Sequence, residues 1–107
     1  MSDEKREEMK EGEKGTSPGS EEKGKEIENL LEMGKFYYVN RKFDEARERF
    51  EKVLEIDPDN EEALLNIALI HELHNEPEKA KEVYQTVLKK HPESAAAREK
   101  LNRLSGL

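Results

Sequence analysis

The chain contains no cysteine and no tryptophan. The first absence excludes disulfides, thiolate metal sites and a cysteine nucleophile. The second, with aromatics at only 6% of residues, leaves few large side chains to fill a core. No apolar run approaches the ~20 residues that span a bilayer. The opening decapeptide MSDEKREEMK carries no hydrophobic stretch of the kind a secretory signal needs. Nor is there an excess of positive charge: the formal net charge is -7, whereas general nucleic-acid binding needs a basic face. With 33% hydrophobic and 42% charged residues in 107, the chain supports one small domain, and part of it lacks the means to fold. The expectation is a soluble, cytoplasmic protein with neither a nucleic acid nor a membrane as partner.

What is present divides at Gly24. Residues 1–24 have Met1 and Met9 as their clearly apolar side chains and include EGEKGTSPGS. Such a segment buries too little surface to offset its conformational entropy, and it reads as a disordered acidic tail. Residues 25–107 read as an all-α domain. Apolar residues at Ile27, Leu30, Leu31, Met33 and Tyr37, then at Phe43, Ala46, Phe50, Val53 and Leu54, keep helical spacings of three and four. A second set does the same at Ala63, Leu64, Ile67, Ala68 and His71, then at Ala80, Val83, Tyr84, Val87 and Leu88. VNRK and HNEP break the helices within each pair, and DPDN and HPES close the pairs. Exposed faces carry i,i+4 charge pairs in the favourable order, such as Glu45 to Arg49 and Glu48 to Lys52.

The two sets are copies. Leu30 and Leu64, Met33 and Ile67, Ala46 and Ala80, Phe50 and Tyr84, Val53 and Val87, and Pro58 and Pro92 are each 34 residues apart. A helix–turn–helix unit repeated at that interval leaves an apolar face that only stacking covers. In both residues and period the chain resembles the tetratricopeptide repeat family. The first unit, 27–60, matches its signature at Leu30, Met33, Gly34, Tyr37, Ala46, Phe50, Val53 and Pro58. The second, 61–94, matches at Leu64, Ile67, Ala68, Ala80, Tyr84, Val87 and Pro92, and departs at His71 and Pro77, where the family favours aromatics. Gly34, Ala46, Ala68 and Ala80 are small enough for close helix approach. The remainder, 95–107, has room for one helix, with Ala97, Leu101 and Leu104 as its apolar stripe. It reads as a cap on a short helical-repeat solenoid.

Candidate chemistry is sparse. HELH sets His71 and His74 three apart, whereas the zincin pattern needs four and a Glu between them; His71 falls on a core position and His74 at a turn. His91 suits a helix C-terminus. The carboxylates of LEIDPDNEEALL suggest a calcium loop, but counting from Asp57 its sixth and twelfth positions hold Glu62 and Ala68 where Gly and Glu are needed. They read instead as a helix boundary, with Asp59 or Asn60 as the cap and Glu61 and Glu62 in the first turn. No phosphate loop and no Ser/His/acid arrangement is present. The reading is a non-enzyme without cofactor or metal.

Function then rests on surface. Resemblance to the family places Leu31, Lys35, Tyr38 and Val39 of the first unit on a concave face. It adds Leu65, Asn66, Leu69 and Leu73 of the second, and Lys100 and Arg103 of the cap. The four-residue spacing of Leu65, Leu69 and Leu73 supports one stripe independently. ALLNIALIHEL is apolar over a wider arc than packing alone uses. The resemblance implies a chaperone-like adaptor or scaffold that binds a peptide or helix of a partner protein. In the branch that clamps acidic chaperone tails, Asn66 matches and Lys100 keeps the charge, while Leu31, Lys35 and Ala96 depart. A leucine groove with a basic end suits an amphipathic helix or an apolar peptide with an acidic end. The competing reading is a self-association module in which the leucine face is a homodimer interface.

Overall fold

A computed structural model of the chain describes residues 18–106, with side chains from residue 21. These residues form five helices and no strand: α1 (Pro18–Val39), α2 (Phe43–Ile56), α3 (Glu61–Leu73), α4 (Pro77–Lys90) and α5 (Ala95–Leu104). Each helix packs on its neighbour in the chain, giving two hairpins and a fifth helix stacked in one line. Of the acidic tail expected over 1–24, residues 1–17 lie outside the described residues. Residues 18–24 are helical, so α1 starts before the boundary drawn at Gly24. The local reasons are visible: proline suits a first helical turn, Glu21 lies in that turn, and Glu21 stands four residues before Lys25.

The turns repeat as faithfully as the helices. In the first hairpin Arg41 takes a left-handed φ of 64°, and the N–H of Lys42 donates to the Tyr37 carbonyl at 2.9 Å. In the second, Asn75 has φ 60° and the N–H of Glu76 donates to the His71 carbonyl at 2.8 Å. A left-handed residue closing two orphan carbonyls is a common way to stop a helix, and both hairpins use it at matching positions. Between hairpins, Asn60 caps α3 by accepting from the Ala63 N–H at 2.9 Å, and Ser94 caps α5 by accepting from Ala97 at 3.3 Å. The two joins also touch. Ser94 Oγ donates to Glu61 at 2.7 Å, and His91 Nε2, which must carry the proton, donates to the Asp59 carbonyl at 2.6 Å.

The core lies in two clusters along the stack. Ala46, Phe50 and Val53 of α2 meet Ala63, Ile67 and Ile70 of α3, with Leu30, Leu31 and Tyr38 of α1 packed against them. Ala80, Tyr84 and Val87 of α4 meet Leu64 and Ala68 of α3 and Ala97 of α5. Gly34 makes the first hairpin close: Phe50 fills the place where a side chain at residue 34 would begin. The Glu45–Arg49 pair expected from spacing is not among the ion pairs of the described residues; Arg49 lies over the Tyr37 ring at 5.7 Å instead.

Candidate interaction surface

α3 divides its side chains between two tasks. Ala63, Leu64, Ile67, Ala68 and Ile70 are buried. Leu65 and Leu69 are half-buried and, with Asn66, face a concavity of about 560 Å³. The first turn of α3 forms one end of it through Asn60, Glu61 and Glu62, and Lys100 of α5 closes the other side. Four of the residues expected on the concave face, Leu65, Asn66, Leu69 and Lys100, therefore come together.

The remaining six lie elsewhere. Lys35 stands at the edge, its ammonium 2.7 Å from Glu62; that hydrogen bond, then the charge of Glu62, raises its pKa above the ordinary lysine value. Leu31 and Tyr38 are half-buried against the first core cluster, with Tyr38 edge-on to Phe43 at 5.5 Å. Val39 and Leu73, at the ends of their helices, are 74% and 49% exposed and do not line the concavity. Arg103 reaches back to Glu72, at 3.0 and 3.3 Å from its two carboxylate oxygens.

That contact belongs to a node joining three helices. Tyr84 Oη on α4 donates to the same Glu72 carboxylate at 2.6 Å. Burial, and then the hydrogen bond to Glu72, pushes the Tyr84 hydroxyl well above the usual phenol range. The arrangement fixes α5 against α3 and α4, which positions Lys100 over the groove.

The groove's carboxylates are largely committed. Glu61 accepts from Ser94, and Glu62 pairs with Lys35. Asn66 turns back on its own helix, donating to the Glu62 carbonyl at 2.8 Å. Lys100 is the lining charge with no ion pair among the described residues, and it stands beside the half-buried Leu65 and Leu69. Sequence reasoning assigned Asn60, Glu61 and Glu62 to the helix boundary and missed that they also line the groove. The signal was there: Glu61 and Glu62 stand four residues before Leu65 and Asn66, hence on the same face.

The two histidines of HELH part company. His71 donates from Nδ1 to Glu76 at 2.9 Å, while His74 sits edge-on to Phe43 at 6.1 Å. No group of three or more His, Asp or Glu side chains with metal-ligand geometry occurs among the described residues. No described helix is long and apolar enough to cross a membrane.

Two stacked helical hairpins with small residues at their crossings, a fifth helix laid on the second and a groove along the first helix of the second hairpin define a helical-repeat interaction module. The family model of the tetratricopeptide repeat matches residues 37–104, from the last turn of α1 to the end of α5. The chain belongs to the tetratricopeptide repeat family. These repeats generally mediate protein–protein interaction, and the family is typically non-enzymatic. No curated protein matches the chain.

Proposed function

We propose that this protein is a non-enzymatic adaptor of the cytoplasm that takes a short segment of a partner protein into the groove over α3. The observation that carries this reading is the convergence of Leu65 and Leu69 with Lys100 on one concavity. Half-buried leucines offer apolar contact without needing to move. The Lys100 ammonium supplies an orienting charge, since the groove's own carboxylates are already engaged. The fitting ligand has apolar side chains spaced to meet two leucines one helical turn apart and a carboxylate at the end that meets Lys100. Asn66 is tied to its own helix, so the leucine pair rather than the asparagine is the recognition element.

The test is a peptide-display selection on the intact chain, followed by fluorescence anisotropy with the selected peptides. Leu65→Glu/Leu69→Glu should abolish binding, and Lys100→Glu should weaken it and reverse the preference for an acidic end. Peptides that bind the leucine variant as well as the wild type would move the site off this groove.

A further inference from the structure

The interval of 34 residues pairs positions of one hairpin with those of the next, and one set of equivalents has no neighbouring helix among the described residues. On α3, Ala63, Ile67 and Ile70 are buried against the first hairpin. On α5, the matching Ala97 is buried, and Leu101 and Leu104 pack on the second hairpin. The same positions of α1 are Asn29, Met33 and Phe36. Asn29 is exposed, Met33 is 42% exposed and Phe36 63% exposed, where the Ile67 and Ile70 counterparts are 6% and 0%. Large apolar side chains occupy a stacking face on which no described helix stacks.

The charge on that face is divided. Glu22, Glu26, Asn29, Met33 and Phe36 follow at spacings of four and three, the seam of a two-stranded helical pair. Its N-terminal end is acidic. At its other end Phe36 stands edge-on to Tyr37 at 5.8 Å, and the Arg49 guanidinium lies over Tyr37 at 5.7 Å. Arg49 is undercompensated: Nε is buried without a hydrogen-bond partner, and Glu48, its carboxylate neighbour in the described residues, stands off at 3.9 Å. Residues 21–26 are all exposed and Ile27 is the first of α1 to pack on the core, so the acidic end projects beyond its own hairpin.

We infer that this face binds a second copy of the chain, with the two α1 helices antiparallel about a twofold axis. Antiparallel pairing about an axis near Asn29 lays the projecting Glu22 and Glu26 of each α1 over the Met33–Phe36 surface of the other, within reach of its Tyr37–Arg49 end. Head-to-tail stacking fits less well, because the far end of the stack offers Arg98, Glu99, Asn102 and Arg103 to an apolar face. The α3 groove stays open in such a dimer, so this surface stands independently of the groove's ligand.

Sedimentation velocity on the full chain, from micromolar to submillimolar concentration, should show a monomer–dimer equilibrium. Phe36→Glu, at an exposed position that carries no fold, should leave only monomer. Glu22→Lys/Glu26→Lys and Arg49→Glu should each be monomeric alone and should form a heterodimer when mixed, because each restores the other's complement. A wild type that stays monomeric throughout would overturn the inference. So would a dimer that survives Phe36→Glu, one broken instead by Leu65→Glu/Leu69→Glu, or charge variants that fail to recombine.

Discussion

Two glycines of α1 offer a sharp test of the packing. Gly34 and Gly24 lie in the same helix, and helix propensity predicts that alanine at either gains about 1 kcal/mol. Their surroundings differ completely. A Cβ at residue 24 meets nothing within 4 Å. A Cβ at residue 34 would stand 2.6 Å from Cε1, 2.7 Å from Cζ and 3.0 Å from Cδ1 of Phe50. Carbon contacts settle near ~3.5–4.0 Å, so the overlap is roughly 1 Å. The ring has no room to yield, since Phe50 is fully buried among Ala46, Val53, Ala63 and Ile67. Overpacking of this kind costs about 1–3 kcal/mol, and a clash with an enclosed ring belongs at the upper end. Gly34→Ala should therefore lose roughly 2 kcal/mol net after its propensity gain, while Gly24→Ala should gain up to about 1. Urea denaturation followed by circular dichroism separates the two by sign. In Gly34→Ala/Phe50→Leu the smaller side chain should recover about 1 kcal/mol relative to the sum of the single changes. A Gly34→Ala variant as stable as Gly24→Ala would mean that the first hairpin does not pack at this distance.

Tyr84→Phe should cost about 1.5–3 kcal/mol, the range for a hydrogen bond to a charged group, because Glu72 then keeps Arg103 alone; an unchanged urea midpoint would remove the three-helix node. Ser94→Ala should cost about 1 kcal/mol through loss of the α5 cap, with hydrogen exchange rising first in the amides of Ala95–Leu104; uniform exchange across all helices would contradict a local role. The hydrogen bond from His71 holds the Glu76 carboxyl below its ordinary 4.5, so its contribution to stability is complete above that pH and is lost as pH falls through the depressed folded value. Glu76→Gln should remove that part of the acid limb, and an acid titration of stability with the same slope in both proteins would show that the pairing does not persist in solution.

Much of the fold was legible because its signals are local. The five helices follow from apolar spacing, and the hairpin joins follow from DPDN, with Asp59 or Asn60 as the cap, and from HPES, whose chemistry acts within a turn. The groove was legible in part. Leu65, Asn66 and Leu69 share one helix face by spacing alone, and the repeat geometry brought Lys100 to them. Arg103 and Lys35 were readable as positions but not as partners, because Glu72 and Glu62 reach them from residues 31 and 27 places away. The start of α1 was missed for another reason. Residues 18–24 have no apolar periodicity, and only the weaker charge and first-turn signals mark them as helical.

The copies also differ, and the differences separate structure from function better than the matches do. Positions where both hairpins agree, Ala46 with Ala80 and Val53 with Val87, are fully buried and hold each hairpin closed. Where they disagree, the environment changes. Leu69 faces the groove while its counterpart Lys35 is spent on Glu62, so the groove is apolar only over the second hairpin. Val83 packs on the second core cluster while its counterpart Arg49 sits unsatisfied beside Tyr37. At residue 49 the first hairpin has, in place of that valine, an arginine whose Nε is buried without a hydrogen-bond partner among the described residues, which costs stability, while its guanidinium lies over the Tyr37 ring. Local rules broken without internal compensation point outward, to a contact that the chain makes with another molecule. On that reasoning the leucine groove and the α1 face are two separate surfaces, the first proposed for a ligand of different sequence and the second for a copy of the chain.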